Sequence, residues 1–295
     1  METMPSPVQQ IHDPLFTEKG VEIYIKREDL NHRVISGNKW RKLKFNLAAA
    51  KAQQHETLLT FGGAYSNHIH AVAGAGKAYG FNTVGIIRGE ETLPLNPTLA
   101  YAKSCGMKFH YLDRATYRLK TTLQVKYYLQ NIFNRFYLIP EGGTNNLAIQ
   151  GCEEIVTELE ESYDYYCLSV GTGGTVSGVV SALKGQHSVI GFSALKGDFL
   201  TLEVEKFLQA YSDDKFTNWF INNDYHFGGY AKVKPELLDF MKAFEGKHKI
   251  LLDPIYTAKS FYGLYDLIHN DHFSRGSRIL FVHTGGLQGR AGFDL

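Results

Sequence analysis

"YDYYCLSVGTGGTVSG", residues 163–178, contains three structural signals in a row. An apolar run suits a buried strand, a glycine cluster suits a tight turn, and the stretch after it opens a helix. The same order recurs on both sides. Upstream, "VEIYIKRE" (21–28) reads as a strand, and a helix begins near Asn38. Then come "TLLTFGG" (57–63), a helix "NHIHAVAGAGKAYG" (67–80) and a strand "NTVGIIRG" (82–89). A helical stretch from Asn96 leads to "KFHYLD" (108–113), and "TTLQVKYYLQNIFN" leads to "FYLIP" (136–140). A long helix follows the turn "EGGTNN", and later strands are "SVIGFSAL" and "RILFVHT". Strands alternating with helices of about ten to fifteen residues predict parallel sheets built from βαβ units. At 295 residues the chain is long for one core, so two domains are expected. Glycine-bearing turns near 37–42 and 141–151 set the boundaries. They predict a small α/β domain, residues 41–150, within a larger one formed by residues 1–40 and 151–295.

Composition narrows the class. Hydrophobic residues make up 44% and charged residues 21%, ordinary for a soluble globular protein. Lys plus Arg is 31 against 30 for Asp plus Glu, a formal net charge of +1, which gives no reason to expect nucleic acid or a membrane surface as partner. Cys105, Cys152 and Cys167 lie far apart, an odd set that fits reduced thiols in the cytoplasm. "METMPSPVQQIHDPLF" lacks the basic flank and apolar run of a signal peptide, and no stretch is apolar for long enough to span a bilayer.

In open parallel sheets, ligand chemistry collects where strand C-termini turn into helices. The loop within "SVGTGGTVSG" (169–178) lets backbone N–H groups approach an anion, and the helix start adds partial positive charge. Thr172 and Thr175 add hydroxyls. No Gly-Lys-Ser/Thr follows, so it is not a Walker A loop, and Val176 breaks a GxGxxG pattern. A phosphate site is the reading that goes beyond a simple tight turn. "FGGAYSNHIH" (61–70) is a second such turn. Ser66 or Asn67 suits a helix N-cap, and the free N–H groups there suit a substrate carboxylate. His68 and His70 sit two apart and diverge on a helix, and no metal site is expected.

A phosphate loop and a carboxylate turn together suggest pyridoxal 5′-phosphate acting on an amino acid, and that cofactor needs a lysine. "SGNKWRKLKFNL" (36–47) offers three lysines. Trp40, Leu43 and Leu47 form an inward stripe, Lys42 and Lys44 are read as easily solvated, and Lys39 sits at the helix entrance facing a cleft. "KREDLNHRVISGNKWRKLKFNL", "GGAYSNH", "GTGGT" and "LDPIYTAKSFYGL" together resemble the 1-aminocyclopropane-1-carboxylate deaminase/D-cysteine desulfhydrase family over nearly the whole chain. That resemblance implies a fold-type-II, tryptophan-synthase-β-like pyridoxal-phosphate enzyme: two open twisted parallel-sheet domains with the active site between them. It implies that Lys39 carries the cofactor, and that Asn67 contacts the cofactor's 3′-oxygen. Thr172, Gly173, Gly174 and Thr175 would hold the phosphate, and Ser66, Asn67 and His68 the substrate carboxylate. Ser66 would match the family's serine nucleophile. Tyr230, in "HFGGYAK", and Tyr256 would line the substrate pocket.

Within that family, deaminases carry Tyr-Glu where this chain has Tyr256-Thr257. A carboxylate there keeps the pyridine nitrogen protonated. A neutral Thr257 leaves a weaker electron sink, which disfavours opening a cyclopropane that has no α-hydrogen. His68, where deaminases usually have glutamine, leans the same way. The expected reaction is therefore α,β-elimination from a small amino acid, D-cysteine first, with the deaminase as alternative. O-acetylserine-sulfhydrylase-like replacement and a catalytically silent binding protein are remoter readings. A homodimer is the expected assembly.

Overall fold

A computed structural model describes residues 5–32 and 34–293. Residues 1–4, which open the stretch read above for a leader, lie outside it. Ten strands are described: β1 (Val8–Ile11), β2 (Glu22–Lys26), β3 (Thr57–Gly62), β4 (Asn82–Arg88), β5 (Lys108–Leu112), β6 (Tyr137–Ile139), β7 (Tyr165–Val170), β8 (Ser188–Ser193), β9 (Trp219–Asn222) and β10 (Arg278–Val282). The helices are α1 (Pro14–Lys19), α2 (Asn38–Ala52), α3 (Asn67–Tyr79), α4 (Pro97–Ser104), α5 (Arg114–Arg118), α6 (Leu123–Phe133), α7 (Asn146–Thr157), α8 (Gly174–Leu183), α9 (Phe199–Tyr211), α10 (Pro235–His248) and α11 (Thr257–His269).

The strands form two sheets, one ordered β1-β2-β10-β7-β8-β9 and the other β5-β4-β3-β6. Every pairing is parallel except β1 with β2, an antiparallel edge pair joined through α1 whose first strand the sequence reading did not find. Only the last of the four residues of β1 is buried, so it carries no apolar run to read.

Each sheet is covered on both faces, as its continuous apolar strands require. Along β10 the side chains alternate. Ile279 and Phe281 join a core with Phe244 of α10 and Phe261 of α11, while Leu280 and Val282 join another with Val179 of α8 and Val204 of α9. The small sheet repeats the plan. Leu58 and Ile139 pack with Trp40, Leu43 and Leu47 of α2, and Leu59 and Ile86 pack with Val125 and Leu129 of α6. The inward stripe read on α2 therefore rests on the small sheet.

Its opposite face meets the large one. Arg41 is fully buried and bonds Glu28 at 2.8 Å and Glu158 at 2.6 Å. Gly151 of α7 admits the α2 backbone so closely that a Cβ there would lie 2.0 Å from the Arg41 carbonyl oxygen. Both domain limits drawn from sequence fall inside helices, at Trp40 of α2 and Gly151 of α7.

Candidate active site

The C-terminal ends of β3, β4, β6, β7 and β10 face a common cavity of about 940 Å³ between the sheets. Lys39, Ser66, Asn67, His68, Tyr230 and Tyr256 all line it. Thr172, Gly173 and Thr175 line it from the β7–α8 turn.

Lys39 stands at the first turn of α2, which is seated by Gly37 at φ +76. A Cβ on Gly37 would lie 2.0 Å from the Thr284 carbonyl oxygen, the atom that accepts from Asn38 N–H at 3.1 Å. The helix start is thereby fastened to the end of β10. Burial, with the nearby Lys42 charge adding to it, brings the Lys39 amine down to about 7.

Lys42 corrects the sequence reading, which left it in solvent. It is 1% exposed, and its Nζ donates to Gly142 O and Thr144 Oγ1 at 3.0 Å and to Thr172 Oγ1 at 3.3 Å. One helical turn carries Lys42 from the entrance into the glycine turns, a placement that periodicity alone did not show. Burial lowers it to about 8. Lys44, two residues on and so on the far side of the helix, does reach the surface, where it pairs with Glu154.

At the glycine loop, Gly173 at φ +86 precedes α8. The first N–H groups of that helix have no intrahelical carbonyl to meet. A Cβ on Gly174 would lie 2.7 Å from Thr144 Cγ2 and 3.1 Å from Lys42 Nζ, so only hydrogen fits where the loop faces the ammonium. Thr175 Oγ1 accepts from Asn38 Nδ2 at 2.9 Å, tying the loop to the helix that bears Lys39.

Ser66 caps α3, its hydroxyl accepting from the N–H of His68 at 3.2 Å and of Ile69 at 3.3 Å. Those two N–H groups, read as free for a carboxylate, are therefore spent, although the Ser66 hydroxyl can still donate. His68 is buried. The Thr60 hydroxyl gives its one hydrogen to Ile139 O at 2.9 Å, so His68 Nε2 donates to Thr60 Oγ1 at 2.8 Å. Its Nδ1 has no partner. Burial and then the Lys39 and Lys42 charges push the imidazole well below its ordinary range, against a smaller opposing pull from the Pro140 backbone, so the ring is neutral. A bare acceptor repels a carboxylate, and His68 therefore contributes no side-chain donor to one.

Tyr230 and Tyr256 meet edge to face, with ring centroids 6.2 Å apart. Burial raises both phenols above their ordinary range, so both keep their protons at neutral pH.

Thr257 is the residue that the structure moves off the site. It is fully buried, outside the cavity lining, and its hydroxyl donates to Asp253 Oδ1 at 2.8 Å. Asp253 is spent on the N–H groups of Ile255, Tyr256 and Thr257, fixing the entry to α11. Thr284, after β10, lines the cavity instead. The sequence held a signal for it, since "VHTGG" (282–286) repeats the strand-then-glycine pattern of the phosphate loop. Arg88, at the end of β4, and Glu141, which accepts from Tyr117 at 2.8 Å, also line the cavity and were missed.

These features fit pyridoxal phosphate. A glycine cradle too tight for a Cβ faces a buried ammonium, which suits a phosphate. The Asn67 side-chain amide, whose buried Oδ1 has no partner, is left free to turn its NH2 toward a polar ring substituent. The profile of the family described as pyridoxal-phosphate dependent enzymes matches residues 4–285. The chain belongs to that family. It is 32% identical over 299 residues to a Pyrococcus abyssi protein provisionally named 1-aminocyclopropane-1-carboxylate deaminase, covering 96% of this chain and 90% of that one. It is 31% identical over 312 residues to the mitochondrial bifunctional D-cysteine desulfhydrase/1-aminocyclopropane-1-carboxylate deaminase of Arabidopsis thaliana, covering 97% of this chain and 77% of that one. A crystal structure described as an ACC deaminase homologue superposes with a TM-score of 0.85 at 28% identity, covering 99% of this chain and 92% of that one. The architecture is the fold-type-II one, and the chain is a pyridoxal-phosphate enzyme. Among the described residues, no helix is long and apolar enough to cross a membrane.

Proposed function

We propose that this enzyme breaks down a small amino acid to a 2-oxo acid and ammonia, preferring α,β-elimination from D-cysteine. With one water consumed, that reaction yields pyruvate, sulfide and ammonia. Bound pyridoxal phosphate supplies an aldehyde that captures amines and a ring that draws electron density from the α-carbon. In this reading Lys39, near its midpoint at neutral pH, carries the cofactor and afterwards takes the α-proton as general base. Lys42, Thr172, Thr175 and the N–H groups of Gly173 and Gly174 hold the phosphate. Asn67 holds the 3′-oxygen. The Ser66 hydroxyl and the Asn67 N–H hold the substrate carboxylate, with His68 supplying shape and a neutral wall. Tyr256 and Tyr230, both protonated, give hydrogen bonds to the departing group.

The observation that carries the preference is the wall by β10. It presents the neutral Thr284 in place of the Thr257 expected from sequence, and the nearby Asp253 carboxylate is consumed by the α11 entry. A neutral partner leaves the ring a modest electron sink, enough for α-proton loss and thiolate departure but a poor aid to cyclopropane opening. At matched concentrations, wild-type protein should release pyruvate and sulfide from D-cysteine faster than 2-oxobutanoate from 1-aminocyclopropane-1-carboxylate. The reverse order would favour the deaminase named for the relatives above. No spectral response of the holoprotein to any amino acid would favour a silent binder. The same reading takes residues 1–40 with 151–295 and residues 41–150 as the two lobes of each subunit of a cytoplasmic homodimer, and light scattering of the purified protein that gave a single-chain mass would overturn the assembly.

A further inference from the structure

Lys259 lies on α11, three residues after Tyr256, and is 1% exposed. A buried ammonium needs partners. Among the described residues it makes no ion pair with a carboxylate. Its Nζ donates instead to two backbone carbonyls, His226 O at 2.9 Å and Gly229 O at 2.8 Å. Both belong to the segment between β9 and α10 that presents Tyr230.

That segment is strained. Phe227 at φ 54, Gly228 at φ 97, Gly229 at φ 116 and Ala231 at φ 54 all occupy the left-handed region, two of them without glycine's freedom. Such backbone persists only where its surroundings over-determine it. Local bonds contribute, from Gly229 N–H to His226 O at 3.0 Å and from Gly228 N–H to His226 Nδ1 at 2.9 Å. Phe227 also packs against Tyr262, one turn along α11. These tie the segment to itself and to the helix flank. Lys259 ties both sides of the bend to the helix whose start carries Tyr256.

We propose that Lys259 is a positioning residue that sets the spacing of the two pocket tyrosines by gripping the carbonyls of His226 and Gly229, so that Tyr230 stays against the Tyr256 edge. This rests on the reading that Tyr230 acts on the substrate. Lys259→Met keeps the length and apolar stem of the side chain but removes its donors.

In the holoenzyme acting on D-cysteine, Lys259→Met should lower kcat about tenfold with cofactor content unchanged. In a Tyr230→Phe background, the further loss should be under twofold, because the residue acts through Tyr230. Losses that multiply would overturn the proposal. Amide hydrogen exchange over residues 226–232 gives a readout independent of activity. It should quicken at least tenfold in Lys259→Met and stay unchanged in Tyr230→Phe. Unaltered exchange in Lys259→Met would also overturn the proposal. If wild-type protein does not turn over D-cysteine, or Tyr230→Phe is as active as wild type, the functional reading fails at that point and the exchange measurement alone decides on Lys259. Should Lys259→Met not fold, Lys259→Gln, with one amide donor group, is read by the same two measurements.

Discussion

At the scale of single residues, the two lysines of one helical turn divide the work by environment. Both line the cavity, but only Lys42 is held by Gly142, Thr144 and Thr172. Borohydride reduction of the holoenzyme followed by peptide mapping should find pyridoxyl on Lys39. Label on Lys42 or Lys44 would contradict the assignment. The charge on Lys42 is one cause of the lowered Lys39 value, second to burial. Removing it should raise the Lys39 value, because a like charge no longer opposes protonation. In Lys42→Met, capture of unphosphorylated pyridoxal by the apoprotein should therefore begin at higher pH than in wild type, where neutral amine accumulates as pH rises through about 7. Pyridoxal is the probe because it makes no demand on the phosphate loop. An unchanged midpoint would show that burial alone sets the value. Thr257 teaches the converse lesson. Its chemistry suited a ring partner, but its neighbour Asp253 claims the hydroxyl.

At the scale of elements, the chemistry depends on how α2 is seated. Gly37 lets its first turn approach β10, and Asn38 bonds both the segment after β10 and the glycine loop at the start of α8. Gly37→Ala forces a Cβ into the Thr284 carbonyl and places a side chain at φ +76. The overpacking and backbone terms together should cost on the order of 3–4 kcal/mol. Urea titration of the apoprotein measures that loss, and a variant within 1 kcal/mol of wild type would show that the helix start has room to shift. The helix itself was legible, since its start at Asn38 and its inward stripe follow from periodicity and a preceding glycine. The turns were legible too, because glycine clusters after apolar runs have few other uses.

At the scale of the whole molecule, α2, α7 and the segment after β2 are joined by a buried charge network. Arg41 bonds Glu28, Glu154 and Glu158, and Glu28 also accepts from Asn31 Nδ2 at 2.7 Å. Arg41→Ala leaves the fully buried Glu28 with the Ser6 hydroxyl, the Asn31 amide and only the more distant Lys26 ammonium, 4.0 Å away, as a charge partner, and should cost about 3 kcal/mol, read by urea titration. A loss under 1 kcal/mol would mean that the network relaxes or admits water. The sequence alone determined the class of fold, the glycine turn after β7, a helix cap at Ser66 or Asn67 and the helix bearing Lys39, because apolar periodicity, glycine and N-cap residues act over a few neighbouring positions. Only the tertiary structure decided that Lys42 is enclosed by the glycine turns, that Thr284 and not Thr257 lines the cavity, and that Lys259 bonds a segment some thirty residues before it in the chain. Each of those depends on which side chain a distant segment has already bonded, and local pattern carries no record of that competition.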